Sequence, residues 1–186
     1  MEIDKFLQET SLDLPGVGQL GFIVHDIQAS LPRISSAFNI KAWYQPQYIE
    51  KQFKIDDQPI ELDFDLVVAY SGKLQVELIE EKSQRARIYH DHLENYGEGL
   101  HHLGFFVSDI DTKLKIAKQI GLNILLESEF KTAGGGHVRF AYLDTRKICG
   151  VIIELANIKL SGINVPQTEL MMNVGRFTGD VLKTNI

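Results

Sequence analysis

The sequence predicts an α+β fold in which two βαβββ modules pair around a shared core. The first observation is an internal repeat, because residues 18–31 and 101–114 carry identical residues at seven positions with a constant shift of 83 (102 − 19 = 83). The second is a later echo, in which residues 68–78 and 140–155 both hold an Ala-Tyr pair followed by an apolar-Glu-Leu triplet. A duplicated unit that cannot close a core alone usually pairs with its twin, so one two-module domain follows.

The first half begins with a strand and a helix. Residues 19–24 form a short apolar stretch, and Asp26 supplies an N-cap signal before the apolar positions of a helix. Pro32 disfavours a helix interior, which leaves open a later start near Ser30, with the proline in the first turn. One strand of this half is not placed. Two others are predicted at residues 66–69 and 74–79.

The second half repeats this order without the proline. After a predicted strand at residues 102–107, Asp109 caps a helix whose apolar residues lie on one face, and Gly121 supplies its C-terminal stop. Three strands follow, at residues 123–126, 138–143 and 151–155. Each half therefore reads βαβββ.

The repeat also divides the chain into segments. A domain of residues 17–156 contains modules at about residues 17–80 and 100–156. The other predicted segments are an N-terminal arm at residues 1–16, a linker at 81–99 and a C-terminal extension at 157–186. We expect the extension to pack on the mouth of the barrel or across a dimer.

Two segments of unusual composition lie between the repeated elements. The insertion at residues 42–60 is rich in aromatic residues and is expected either to shape a pocket or to form a flap of the core. The predicted linker contains His90 and His92, whose spacing of two directs them apart on a helix. We interpret both histidines as surface residues.

Composition excludes several classes of protein. The 186 residues, of which 44% are hydrophobic, suit one soluble globular domain, and no apolar run is long enough to span a membrane. The net charge of −6 argues against nucleic-acid binding. The single cysteine, Cys149, excludes an intrachain disulfide framework and a thiolate metal site. Residues 1–13 lack a signal segment, so a cytoplasmic location is expected.

Four polar residues occupy equivalent positions of the two halves within apolar strand sequence. They are Gln19 and Glu77 in the first half, and His102 and Glu154 in the second. Each alone suits a solvent-facing or capping residue, but all four are types that bind divalent cations. One imidazole, one amide oxygen and two carboxylates suit a five- or six-coordinate ion with open positions, so the four predict one divalent metal site, for Zn, Co, Ni, Mn or Fe.

Four motifs resemble the vicinal oxygen chelate superfamily, which includes glyoxalases, bleomycin-resistance proteins and extradiol dioxygenases. The motifs are at residues 19–26, 99–110, 133–143 and 150–155. Within the superfamily they are most similar to methylmalonyl-CoA epimerases. The resemblance implies a cupped mixed sheet, a homodimer and the metal ligands Gln19, Glu77, His102 and Glu154.

The resemblance leaves the reaction open. Epimerases of this type usually have histidine where this chain has Gln19, whereas a Gln, Glu, His, Glu order resembles lactoylglutathione lyase. The lyase usually carries an arginine at the position of Ile23. A second base of the epimerase would fall among Glu61, Asp63 and Asp65. An extradiol dioxygenase would need a second histidine, which Gln19 replaces.

The predicted activity is proton transfer next to the carbonyl of a small-molecule substrate, of epimerase or isomerase type, with an acyl-CoA thioester as one candidate. Glu154 is the first choice for the base, with Glu77 or an acid of residues 61–65 on the opposite face. A metal-free binding protein for a cationic ligand is the alternative from another class. A glycine-rich hairpin is a secondary candidate for substrate binding, through Gly135, Gly136, His137 and Arg139.

Overall fold

The computed structural model describes residues 11–82 and 87–184, so residues 1–10 of the predicted arm lie outside the described part. None of the helices within those ranges is long and apolar enough to cross a membrane. The strands are β1 (Gln19–Ile23), β2 (Trp43–Pro46), β3 (Glu50–Ile55), β4 (Gln58–Ile60), β5 (Phe64–Ser71), β6 (Leu74–Glu81), β7 (Gly99–Phe106), β8 (Ile124–Lys131), β9 (Gly136–Leu143), β10 (Ile152–Leu160), β11 (Ile163–Asn164) and β12 (Val181–Thr184). The helices are α1 (Ile27–Phe38), α2 (Arg87–Tyr96), α3 (Ile110–Gln119), α4 (Arg146–Cys149) and α5 (Glu169–Thr178).

These strands form one curled mixed sheet in the order β12-β2-β5-β6-β1-β7-β10-β9-β8-β3-β4, with β11 paired to β10. The first module supplies β1, β2, β5 and β6, and the second supplies β7 to β10. Each module has a helix after its first strand, which confirms the paired βαβββ prediction. The strand that the sequence left unplaced is β2. The modules join where β1 and β7 pair in antiparallel register.

Helix α1 begins earlier than the alternative start near Ser30. The Asp26 carboxylate accepts a hydrogen bond from the Ala29 N–H at 3.0 Å, so Asp26 is the N-cap and the first helical residue is Ile27. Pro32 therefore lies inside the helix. The cap in the second half is equivalent, because Asp109 accepts from the Thr112 N–H at 3.1 Å. These caps satisfy N–H groups that a helix start leaves unpaired.

The two long module helices cover the outer face of the sheet. Leu31 of α1 packs with Trp43 and Leu78, and the Trp43 indole donates to the Ser35 hydroxyl at 2.8 Å. Helix α3 packs a separate cluster in the same way, through residues such as Leu114. Burying one such leucine stabilises the fold by about 1.5–3 kcal/mol. Because the helices take the outer face, the inner face of the cup is left for a cavity.

The aromatic insertion serves both modules. Trp43 in β2 belongs to the first module, but the β3–β4 hairpin pairs with β8 of the second module, with Phe53 opposite Ser128. The hairpin carries Phe53 into a cluster inside the cup, where its ring lies 5.3 Å from that of Phe130. The insertion therefore both builds the core and walls the cavity.

The C-terminal residues return to the first module. Strand β12 pairs with β2, with Lys183 opposite Tyr44. The Tyr44 hydroxyl donates to Glu169 of α5 at 2.9 Å, which fixes the start of that helix. Helix α5 then lies at the mouth of the cup. Each original edge of the paired modules is thus extended, one by β12 and the other by the hairpin.

The predicted linker contains helix α2, and residues 83–86 lie outside the described part of the chain. Tyr89 of this helix is fully buried. His90 forms an ion-pair contact with Glu94, as a surface residue does. The surface interpretation is wrong for His92, which is partly buried with its ring centroid 5.1 Å from that of His101. Packing of α2 against the sheet draws His92 inward.

Candidate metal centre

The β1–β7 junction places the two repeat-equivalent residues side by side. Gln19 lies opposite Gly104, and Gly21 lies opposite His102. Each ligand candidate is followed two residues later by a glycine on the same face of its strand, and the antiparallel register sets each one beside the other half's glycine. A Cβ on Gly21 would overlap the His102 ring, and one on Gly104 would overlap the Gln19 amide. The glycines therefore provide the space that the two side chains occupy.

The glutamates come from the strands that flank this junction. Parallel pairing of β1 with β6 sets Glu77 opposite Gly21, and parallel pairing of β7 with β10 sets Glu154 opposite Gly104. Four central strands thus place four polar side chains on the inner face of the sheet. The structure brings together all four residues that the repeat singled out.

Their polar atoms converge closely. His102 Nε2 lies 3.4 Å from Glu77 Oε2 and 3.3 Å from Glu154 Oε2. One donor atom from each of these three residues lies within 4.8 Å of the others. Gln19 is also buried, at 4% exposure, beside Gly104 and the Glu154 carboxylate.

Several of these atoms lack hydrogen-bond partners within the described part of the chain. They are Gln19 Oε1, His102 Nε2 and Glu154 Oε2, all buried. Unpaired buried polar atoms are costly, so three of them pointing at one place need a common partner. An imidazole nitrogen, carboxylate oxygens and an amide oxygen form a donor set that a divalent cation accepts. The residues therefore fit a divalent metal ion.

Burial and charge shift the titration of the cluster. Burial alone would lower the pKa of His102, but Glu154 and Glu77 outweigh it and raise that pKa to about 9. The pKa of Glu77 is raised, chiefly because burial disfavours its charged form. Without a metal, a protonated His102 lies in ion-pair contact with the two carboxylates but without a well-directed hydrogen bond from Nε2, and a cation bound there would take the place of that proton.

His101 fixes the orientation of His102. Its Nε2 lies 3.3 Å from the carbonyl oxygen of Ile88, and its Nδ1 lies 3.1 Å from His102 Nδ1. A carbonyl only accepts, so His101 donates through Nε2 and accepts at Nδ1 from His102. Burial holds the pKa of His101 well below its usual value, which keeps it neutral. His102 Nε2 thereby faces the carboxylates, and its lone pair is available to a metal ion once that nitrogen loses its proton. This role of His101 was not predicted from the sequence, although the His-His pair of the motif was visible.

Gln19 is held by a different network. Its amide nitrogen donates to Gln75 Oε1 at 2.8 Å, and Gln75 in turn donates to the Tyr70 hydroxyl at 2.7 Å. Gln75 Nε2 also lies 3.3 Å from Gln167 Oε1, which comes from the C-terminal segment. Since Nε2 of Gln19 is used as a donor, its Oε1 is the atom that faces the cluster.

A cavity that is partly open to solvent extends from this cluster to helix α5. Tyr89 and Tyr142 lie near its floor, with their hydroxyl oxygens 3.2 Å apart. Tyr48 lines the wall, with its ring centroid 4.7 Å from that of Phe130. Burial, and then the charges of nearby glutamates, raise the pKa of Tyr48, so its hydroxyl stays protonated and able to donate. The sequence predicted only that the insertion containing Tyr48 either shapes a pocket or forms a flap of the core.

The glycine-rich hairpin lies at the mouth and does not reach the cluster. Gly136 lines the cavity, and Gly135 forms the turn with a φ of 87°. His137 instead pairs with Glu129 at 2.8 Å. Arg139 pairs with Asp111 of α3 on the outer face, through two hydrogen bonds of 2.9 and 2.8 Å. A substrate-binding role for these residues stays a prediction, and the side chains of His137 and Arg139 do not line the cavity.

The acidic stretch at residues 61–65 does not supply a second base. Phe64 at the start of β5 lines the cavity, so Asp65 points to the other side of the strand and is exposed, and Asp63, just before the strand, is exposed as well. Asp65 contacts Lys82 at 3.4 Å, and Glu61 is exposed as well. The alternative that drew an acid from this stretch is therefore wrong for the described structure, because strand alternation directs it away.

Residues 18–142, more than half of the chain, match the Glyoxalase/Bleomycin resistance protein/Dioxygenase superfamily. The chain belongs to this superfamily, which confirms the resemblance that the motifs carry. No curated protein sequence matches the chain.

Similar solved structures include two methylmalonyl-CoA epimerases. The Streptomyces coelicolor enzyme in complex with 2-nitronate-propionyl-CoA has 19% identity and a TM-score of 0.55, over 83% of this chain and 100% of that chain. The Mycobacterium tuberculosis enzyme has 17% identity and a TM-score of 0.53, over 85% and 92%. A hypothetical protein of Bacillus halodurans, BH1468, has 21% identity and a TM-score of 0.52, over 75% and 91%. At these identities the likeness shows the shared fold.

Proposed function

We propose that this protein is a divalent-metal-dependent enzyme that moves a proton next to the carbonyl of a small-molecule substrate, as an epimerase or isomerase does. The observation that carries the proposal is the convergence of three unpaired buried donor atoms, on Gln19, His102 and Glu154, at the floor of a cavity. A purely structural core would not leave such atoms without partners. The epimerases with a similar fold support this class of reaction, and an acyl thioester is the substrate type that they suggest.

Gln19, Glu77, His102 and Glu154 would hold the metal. When bound, a divalent cation supplies Lewis-acid stabilisation of the negative charge that develops on a carbonyl oxygen as the neighbouring carbon loses its proton. His101 and Gln75 orient two of the four side chains through their hydrogen bonds. This preorganisation lowers the cost of rearranging the site during reaction.

The two glutamates are the proposed proton carriers. Glu154 and Glu77 reach the floor of the cavity from the two modules, so they approach a bound substrate from different strands. Glu154 acts as the base, and Glu77 returns the proton on the opposite face. The raised pKa of Glu77, which follows from burial, brings that carboxyl closer to the range in which a general acid works near neutral pH.

Tyr48 is the proposed donor to a substrate oxygen. Its hydroxyl stays protonated because burial and the two glutamates raise its pKa. It lies on the cavity wall, where a donor assists charge stabilisation at the reacting group. The alternative of a metal-free protein that binds a cationic ligand would use the same two carboxylates, and the metal content of the purified protein distinguishes the two.

The test begins with elemental analysis of the wild type as isolated, and after chelation and reloading. About one divalent ion per chain is the expected content. The loaded protein is then incubated in D2O with methylmalonyl-CoA and, separately, with 2-phenylpropionyl-CoA, and deuterium uptake next to the thioester is followed by mass spectrometry. Glu154→Gln should stay folded and lose turnover by about 10³-fold or more, since the proton carrier is removed.

Two outcomes would overturn the proposal. One is a wild type that retains no divalent ion under any loading condition. The other is full turnover in Glu154→Gln. Glu98→Gln serves as the matched control, because Glu98 is an exposed carboxylate whose contacts are with the His25 backbone and Arg33. It should leave metal content and turnover unchanged.

A further inference from the structure

The cavity above the candidate metal centre has walls that are mostly apolar. Alternate residues of β5, β9 and β10 face inward, and α5 closes the mouth with methionines. Most of the wall side chains are aliphatic or aromatic, with Thr132, Gln167 and Thr178 as uncharged polar exceptions, and examples are Phe64, Leu66, Phe130, Val138, Ile158 and Met171. Such walls bind apolar groups by removing their surface from water.

Charged residues near the wall are directed elsewhere. Lys159 alternates with the inward-facing Ile158 and Leu160, and, after Arg139, it helps to lower the pKa of Asp111 on the outer face. Asp180 accepts a hydrogen bond from the Gly134 N–H at 2.7 Å and lies 3.1 Å from the Thr178 hydroxyl. In the described part of the chain, no arginine, histidine or other lysine lines this cavity.

The remaining charges are the two site carboxylates. Glu77 and Glu154 at the floor would repel a further anion, and strand alternation directs Lys159, the one cation among the described lining residues, to the outer face. An unpaired carboxylate is expensive to bury among apolar side chains. A neutral apolar group on the reacting carbon is neither repelled by the two carboxylates nor costly to bury among apolar side chains.

We propose that the substrate carries a large, uncharged apolar group, a long aliphatic chain or an aromatic ring, on the carbon next to its reacting carbonyl. This inference rests on the proposed function for the carbonyl, and on the cavity for the group beside it. A substrate with a second, free carboxylate at that carbon, as in a methylmalonyl group, fits the cavity poorly. The apolar group fills the space between the metal centre and α5.

The test uses three hydroxamates, which share one metal-binding head and differ in their tails. Wild-type protein loaded with Co(II) is titrated with acetohydroxamate, octanohydroxamate and succinic monohydroxamate, and binding is followed in the visible Co(II) spectrum. Octanohydroxamate should bind at least about 30-fold more tightly than acetohydroxamate, because its methylene groups leave water. Succinic monohydroxamate should bind no more tightly than acetohydroxamate. Equal affinities of the octanoyl and acetyl compounds, or a preference for the succinyl compound, would overturn the inference.

A charge placed on the wall sharpens this test. Val138→Arg should weaken the binding of octanohydroxamate by about 10-fold, because a charge then lies in the apolar wall. It should strengthen the binding of succinic monohydroxamate by a similar factor, because the new cation pairs with the free carboxylate. Gln119→Arg adds the same charge at an exposed position at the end of α3 and should leave both affinities unchanged. If Val138→Arg does not fold, the affinities of the wild-type protein for the three hydroxamates test the inference by themselves.

Failure of the metal proposal would be seen separately. If Co(II) gives no protein-bound spectrum, the proposed function is wrong before any hydroxamate is added. The cavity is then tested in metal-free protein with octanoate and succinate, which differ in the same way. Octanoate should raise the Tm and succinate should not. The reverse order would overturn the apolar preference in either case.

Discussion

The two modules place equivalent residues at the candidate metal centre but hold them by different means. Gln19 and His102 occupy matching positions of β1 and β7, each beside the other half's glycine. In the first module the amide is held by Gln75, and in the second the imidazole is held by His101. The backbone geometry is shared, whereas the supporting side chains are particular to each half.

This difference shows which part of a duplicated site is carried by the repeat. Strand register and the two glycines follow from the common βαβββ plan. The hydrogen-bond partners come from elements without a counterpart in the other half, such as α2, whose Ile88 carbonyl holds His101, and the C-terminal segment that supplies Gln167. Equivalent positions therefore need not contribute equally to metal binding.

The largest expected effect comes from removing the two equivalent ligands one at a time. His102→Ala should weaken divalent-metal affinity by about 10³-fold, and Gln19→Ala by about 10-fold, because a neutral amide oxygen is the weaker ligand. Competition with a chelating dye would measure both. His90→Ala, which removes a histidine paired with Glu94 on α2, should have no effect. Equal losses in the two variants would break the asymmetry between the modules.

The glycines test the shared backbone. Gly21→Ala and Gly104→Ala should each lower the free energy of unfolding by about 1–3 kcal/mol, since the added methyl overlaps His102 or Gln19 and forces them to move. Urea unfolding of the metal-free protein would measure this. Gly99→Ala is the control, because an added methyl group there would have open space around it. A tolerant Gly21 beside a sensitive Gly104 would contradict their equivalence.

The supporting residues should have smaller effects. His101→Phe should weaken metal affinity by about 10-fold, because His102 loses the partner that fixes its tautomer. Gln75→Leu should weaken metal affinity less than this. It removes the hydrogen-bond partner of the Gln19 amide nitrogen, but the Gln19 amide oxygen still faces the cluster. Titration with Co(II) would compare the two variants. A larger loss of metal affinity in Gln75→Leu than in His101→Phe would show that the orientation of Gln19 matters more for metal binding than that of His102.

The smallest expected effect is a dependence of stability on pH in metal-free protein. The pKa of His102 is raised to about 9 in the folded protein from its usual value of 6.5, so its protonation stabilises the fold fully below about pH 6.5. That stability is lost as the pH rises through about 9, with a change on the order of 2 kcal/mol expected between pH 7 and pH 9.5. His102→Gln should show a smaller dependence over the same window when Tm is followed with a chelator present. If the dependence of Tm on pH is the same in His102→Gln as in the wild type, a group other than His102 is responsible for it.

The sequence predicted the centre of this fold better than its periphery. Alternation and the constant repeat shift locate Glu77 and Glu154 on one face, because both depend only on local strand geometry. The matching Asp26 and Asp109 caps were visible for the same reason. The resemblance then supplied the curvature that brings the strands together, which the family match confirms.

Other features depend on contacts between distant segments. The pairing of Phe53 with Ser128 joins an insertion of the first module to the second, and no local pattern specifies that register. The role of His101 needs the position of Ile88 on α2. The outward direction of Arg139 follows from a partner on α3, which the glycine-rich motif did not reveal.

The separation of the metal-site strands from the cavity wall has a consequence for how such proteins diversify. The four ligand candidates stand on β1, β6, β7 and β10 at the middle of the sheet, whereas much of the wall comes from the flanking strands β5, β8 and β9, the inserted segment and α5. Substitutions in the outer layer can therefore change which molecule the cavity accepts without moving the four ligand candidates. The acceptance of a ligand and the geometry of the candidate centre can thus vary independently of each other.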